Sequence, residues 1–174
     1  DFDFMDFIVD KSQNLLFTGR FFLNSPSFII KTDTQLNVLL SNEYSHSQDD
    51  VMISCIRQFS NKDYLLGGIM ATWITTNVIV GALIKIDSLG QIKSSRLYSF
   101  NSWYGVEMNK ININSADEVF ASSGTGGTLI NPTFITIIKT DINGDTIQTH
   151  NYRGSWPYDF VLAKDENPVF LIDR

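Results

Sequence analysis

Three lysines, Lys31, Lys85 and Lys139, recur at intervals of 54 residues (85 − 31 and 139 − 85), and Asp33, Asp87 and Asp141 keep the same step, as do Tyr44, Tyr98 and Tyr152. Around them the chain reads IIKTDTQLN from Ile29, LIKIDSLGQ from Leu83 and IIKTDINGD from Ile137. A fixed period of this length marks a repeat architecture, because a single supersecondary unit cannot bury its apolar face alone and must stack on its neighbours. A looser landmark precedes each copy: QNLLFTG from Gln13, KDYLLGG from Lys62, DEVFASSG from Asp117, and a fourth beginning at NPVFLI from Asn167. Its spacing drifts by a few residues, as insertions in surface loops produce. The chain thus holds three units and the opening of a fourth.

Each unit reads as four short strands. In the third, GVEMNKINI, EVFASSG, TFITIIKT and TIQTHNY are separated by NSAD, by a Gly/Thr/Asn/Pro stretch to Pro132, and by DINGD. β-Branched and aromatic residues dominate these runs, and no ten-residue stretch carries a 3.6-residue apolar period. A βα solenoid would need that period, and a sandwich would not repeat so regularly. The pattern predicts an all-β chain: a partial β-propeller of about three four-stranded blades plus the start of a fourth, in one domain over 1–174. The blades fall at approximately 1–48, 49–102, 103–156 and 157–174. Strands apolar on both faces fit blades sandwiched between neighbours.

Asp63-Tyr64-Leu65-Leu66-Gly67-Gly68, then Leu83-Ile84-Lys85-Ile86-Asp87-Ser88-Leu89-Gly90, then Tyr98 make up one full unit. It resembles a family of repeats from secreted and surface proteins, mostly bacterial, whose blades carry an Asp-Gly turn, a Tyr-hydrophobic-Gly strand and a hydrophobic-Lys-hydrophobic-Asp-x-x-Gly turn ending near an aromatic. The resemblance covers nearly the whole chain. It departs at Leu36, which replaces the turn glycine in the first unit, and at Asn167-Pro168, where the fourth unit should carry Asp-Gly. The resemblance implies a propeller module of a larger extracellular or cell-envelope protein, periplasmic or on the outer surface, and implies no reaction.

Bulk properties narrow the partners. The chain is 43% hydrophobic and 18% charged, ordinary for a folded domain, with net charge −6 and its thirteen Lys and Arg scattered, so neither nucleic acid nor an anionic membrane is favoured. No apolar run reaches the roughly 20 residues that span a bilayer, so membrane insertion is not expected. The single cysteine, Cys55, cannot form an internal disulfide and sits in apolar MISCIRQF, which predicts a small buried residue. A chain that starts at Asp1 and ends inside a second strand is expected to be part of a longer protein or a larger complex.

The copy IIKTDINGD has the look of an ion loop, but a Ca²⁺ loop needs its glycine at position 6 and a glutamate at 12, whereas here the glycine is at 4 and Tyr152 at 12. The other copies lose the charges, so no metal is expected. The aspartate is expected to accept a hydrogen bond from the backbone two residues on, with Asn-Gly supplying positive φ for a tight hairpin. The lysine two residues earlier either stays wet or pairs with that carboxylate. A sialidase-type Asp box would read Asp-x-Gly and need an arginine cluster, and neither is present. His46 and His150 lie in different units without a nucleophile motif, and SSGTGG (122–127) lacks a P-loop lysine, so no catalytic residue and no cofactor is expected.

Aromatic residues cluster on the connections. Trp103 and Tyr104 lie in FNSWYG, Trp156 and Tyr158 in RGSWPYD, and Trp73 on a second-to-third strand connection. In a propeller these segments gather on one face around the axis, where such rings stack on sugars, anchor a protein partner, or wedge between blades. The expected function is a non-enzymatic module that binds a protein or glycan or serves as a scaffold. The competing expectation is part of a glycan-active hydrolase or lyase whose catalytic residues lie in other blades.

Overall fold

A computed structural model of the chain describes residues 3–20, 26–45, 50–72, 78–99, 107–125, 134–153, 157–164 and 167–172. Among the described residues there is no helix. Fourteen strands follow one another: β1 (Asp3–Val9), β2 (Leu15–Arg20), β3 (Ser27–Thr32), β4 (Val38–Tyr44), β5 (Asp50–Gln58), β6 (Tyr64–Thr72), β7 (Val78–Ile86), β8 (Ile92–Tyr98), β9 (Glu107–Ile113), β10 (Val119–Thr125), β11 (Phe134–Thr140), β12 (Thr146–Arg153), β13 (Pro157–Leu162) and β14 (Pro168–Ile172). They form antiparallel meanders of four, four, four and two strands in chain order, and none of these sheets closes into a barrel. Four strands per 54-residue unit is therefore what the chain builds.

The first-to-second and third-to-fourth strand turns of the three four-stranded sheets share one geometry. After β3, Leu36 N–H donates to Asp33 O and Asp33 N–H to Asn37 O, which encloses a three-residue loop whose last member, Leu36, has φ 66°. The turns after β7 and β11 repeat it with Gly90 (φ 78°) and Gly144 (φ 84°). The turns after β1, β5 and β9 repeat it again with Gln13, Lys62 and Asp117 at φ 63°, 73° and 60°. This is the type I turn closed by a left-handed residue, and each β3-type strand accordingly slips register at its last residue. Asn143 was expected to share the positive φ with Gly144, but the glycine alone is left-handed here, because the loop has three residues and not two.

Each sheet's first strand also carries an irregularity, between Phe4 and Asp6, Ile53 and Cys55, Lys110 and Met108, and Pro157 and Asp159. A bulge bends and twists the strand. In the first sheet it coincides with Asp6 reaching into the second, where its Oδ2 accepts from Ile56 N–H at 3.1 Å and pairs with Arg57 at 2.7 Å.

Successive sheets pack face to face. Leu16, Ile29 and Tyr44 of the first meet Val51, Ile53, Ile56, Tyr64, Leu66, Ile84 and Ile86 of the second in one buried cluster. The other face of the second, with Cys55, Phe59, Leu65 and Leu83, meets Met108, Ile111, Val119, Ala121 and Ile138 of the third. Odd and even positions of β7 thus serve different interfaces, which is the period-2 consequence of a strand buried on both faces. Cys55 is fully buried, as its apolar setting predicted, and burial pushes its thiol up to about 12.

Candidate functional site

Of the aromatic candidates, Trp73, Trp103, Tyr104 and Trp156 lie outside the described residues, as does His46. Tyr158 belongs to β13 rather than to the preceding connection, at that strand's register shift. Of SSGTGG, Ser122 to Thr125 complete β10 and the rest falls outside.

The repeated lysine organises the interior differently from the sequence expectation. Lys31 does not pair with Asp33. Its Nζ lies 2.8 Å from Asp10 Oδ2, on the turn between β1 and β2, and donates to Tyr64 Oη of the next sheet at 2.9 Å, while Tyr64 O–H donates to Asp10 Oδ2 at 3.0 Å. Lys85 turns likewise to Asp63 (3.6 Å), which Lys93 also meets at 2.8 Å, and Lys139 turns to Glu118 at 2.8 Å. The acid sits at the first residue of the five-residue turn in the first sheet and at the last in the other two. Each ammonium also lies over a ring: Tyr64 at 5.5 Å, Phe59 at 4.8 Å and Phe120 at 5.4 Å.

Burial acts to raise the Asp10 carboxyl, but the bonds from Lys31, the Asn14 backbone, Tyr64 and the Asn14 side chain outweigh it and lower the pKa to about 2. For Lys31 burial works downward, and its bonds to Asp10 and Tyr64 raise it above the ordinary lysine value. A buried charge held this way is paired and hydrogen-bonded, as the low local dielectric requires.

The aspartates of the repeat cap their own turns. Asp33, Asp87 and Asp141 each accept two backbone N–H bonds on Oδ1 at 2.8–2.9 Å, from the residues two and four positions on. The two carboxylates that resembled calcium ligands in the third copy are already engaged. Asp141 Oδ2 accepts from Asn143 at 3.4 Å, and Asp145 Oδ1 accepts from Arg96 of the preceding sheet at 3.0 Å. Among the described residues no three His, Cys, Asp or Glu side chains gather in a metal-binding group.

The remaining repeat residue, the tyrosine, bridges sheets. Tyr44 O–H donates to Gly90 O at 2.7 Å and Tyr98 O–H to Gly144 O at 2.6 Å, each acceptor 46 residues further on. Tyr152 lies on β12, where the neighbouring β13–β14 hairpin has no third and fourth strand among the described residues. A groove of about 340 Å³ opens there, lined by Glu118, Phe120, Lys139, His150 and Tyr152 and walled on one side by Asn167 and Pro168. Its openness shows in the lysine pair: Lys139 and Glu118 are 26% and 31% exposed, against 13% and 1% for Lys31 and Asp10 under a complete sheet. Lys139 and Asn114 both donate to Glu118 and hold its carboxyl below the usual range.

The groove is lined by the Lys139–Glu118 ion pair and by the rings of Phe120, His150 and Tyr152.

The chain matches no protein-family model and no curated protein. The residues of this groove were missed as a site in the sequence, although a signal exists: Tyr44 and Tyr98 each precede a turn glycine by 46 residues.

Proposed function

We propose that the chain is a section of a non-enzymatic β-propeller from a secreted or cell-envelope protein, acting in protein or glycan binding or as a rigid scaffold. The observation that supports this reading is the repeated sheet junction. The tyrosine of one sheet hydrogen-bonds the turn glycine of the next, twice over, at the same strand positions. Repetition of one four-stranded meander through a constant junction is what a radial blade array requires. The extracellular setting rests on the resemblance of the repeats. Trp73, Trp103, Tyr104, Trp156 and Tyr158 are the proposed ligand-contacting rings.

Glycan-array binding by the wild-type chain, with Trp103→Ala and Trp156→Ala as controls, tests the binding role. Retained glycans lost in either variant support a lectin-like module, and silence throughout supports a scaffold. Conversion of an arrayed glycan to shorter or unsaturated products would overturn the non-enzymatic reading.

A further inference from the structure

We propose that Asn143-Gly144 is a site of spontaneous deamidation that the junction between the second and third sheets holds closed, and that conversion there releases the junction irreversibly. The pair is the sequence's single Asn-Gly, and Asn143 is exposed in the turn after β11.

The chemistry needs only water. The backbone nitrogen of Gly144 attacks Cγ of Asn143, the Cγ–Nδ2 bond breaks, and the side-chain nitrogen leaves as ammonia with the proton that the Gly144 N–H gives up. Water then opens the cyclic imide at either carbonyl. One opening gives aspartate; the other gives isoaspartate, whose main chain runs through the side-chain carboxyl and is longer by a methylene. Glycine favours the first step because no Cβ shields its nitrogen. The sibling turns cannot follow. Leu89 precedes Gly90 without an amide, and Gln35 would have to close a larger ring onto a nitrogen shielded by Leu36.

The fold adds restraint. Gly144 N–H, the nucleophile, donates to Asp141 O at 3.1 Å, and Gly144 O accepts from Tyr98 at 2.6 Å. The stem of Arg96 lies against Gly144, where an added Cβ would come within 2.7 Å of Arg96 Cγ, and its guanidinium holds Asp145 at 3.0 Å. Asn143 N–H and Nδ2 both donate to the Asp141 carboxylate, at 2.8 and 3.4 Å. Attack requires the Asn143 amide carbon to swing onto the Gly144 nitrogen, which these contacts prevent while they are closed. The reaction is therefore confined to moments of local opening, and the contacts from Tyr98 and Arg96 make the second sheet a gate on the third.

Either product opposes reclosure. Isoaspartate lengthens a loop whose three residues and left-handed Gly144 fit one hydrogen-bonding pattern. Aspartate replaces the Nδ2 donor by a second carboxylate beside Asp141, and like charges repel.

The test incubates the intact chain and a synthetic peptide of residues 137–149 at pH 8, following conversion by enzymatic methylation of isoaspartate and by peptide mapping. Conversion at Asn143 is expected to be about tenfold slower, or more, in the chain than in the peptide. Tyr98→Phe should speed it about fivefold in the chain, whereas Tyr44→Phe, which cuts the same bond at the other junction, should leave the wild-type rate. Asn143→Gln should abolish the signal, and converted chain should show a lower urea midpoint than unconverted chain. An inert peptide, equal rates in chain and peptide, acceleration by both tyrosine variants or by neither, a signal that survives Asn143→Gln, or an unchanged midpoint would each overturn the proposal.

Discussion

Tyr98 on the last strand of the second sheet donates a 2.6 Å hydrogen bond to the carbonyl of Gly144, in a turn of the third. With Tyr44 and Gly90 at 2.7 Å this makes a tie between sheets that repeats with the sequence. Burial pushes the Tyr98 phenol up to about 12, so the hydroxyl stays a donor across the physiological range. Replacing Tyr98 by Phe removes the bond and leaves a carbonyl partly unsatisfied. The expected loss is about 1 kcal/mol, read as a lower urea midpoint at unchanged slope, and Tyr44→Phe should match it.

The left-handed turn residues should respond in opposite directions. Leu36 holds φ 66° while 65% exposed, so it carries backbone strain with few contacts to offset it, and Leu36→Gly should stabilise by about 0.5–1 kcal/mol. Gly90→Ala meets both the positive φ and the Asn42 side chain, and should cost about 2 kcal/mol or more. Thermal melts of the two variants against wild type check the signs.

Asp10 predicts an acid limb. Its folded pKa of about 2 lies below the ordinary 3.8, so its contribution, on the order of 2 kcal/mol, is fully present above pH 3.8 and is lost as pH falls toward 2. Asp10→Asn should flatten stability against pH in that window. At pH 7 it should cost about 3 kcal/mol, because Lys31 is left buried without its counter-charge. Adding Lys31→Met should recover part of the loss, and a double-mutant cycle by urea unfolding measures how much.

Cys55 predicts a clean probe of opening. Its thiol is fully buried and its pKa is raised to about 12, so the reactive thiolate is scarce and inaccessible in the folded chain. Labelling by an aromatic disulfide reagent at pH 8 should be negligible in the absence of denaturant. It should rise with urea in parallel with loss of the folded signal.

Particular residues show how far the sequence reaches. The strands and the capping by Asp33, Asp87 and Asp141 were legible, because side-chain alternation along a strand and hydrogen bonds inside a turn are both recorded within about five residues, although the turns close over three residues where Asn-Gly suggested two. The lysine's partner was not. Asp33, two residues away, was the near choice, yet the distant Asp10 wins, because the turn between β1 and β2 swings over the same face as Lys31 while Asp33 bonds its own backbone. The acid stands 21, 22 and 21 residues before its lysine (31 − 10, 85 − 63 and 139 − 118), but its shift from the first residue of the turn to the last leaves no local motif from which to read the pairing.

What the sequence determined by itself is therefore the unit: a meander of four strands, repeated, with its turn chemistry and a core apolar on both faces. What only the tertiary structure decided is the junction. Tyr44 and Tyr98 are tied to glycines on other sheets, Lys31 to an acid and a phenol on two different sheets, and the third sheet carries a groove at Tyr152. The division has a physical cause. Hydrogen bonds inside a turn depend on backbone angles set by neighbouring residues, whereas bonds between sheets depend on how two surfaces settle against each other after they are buried.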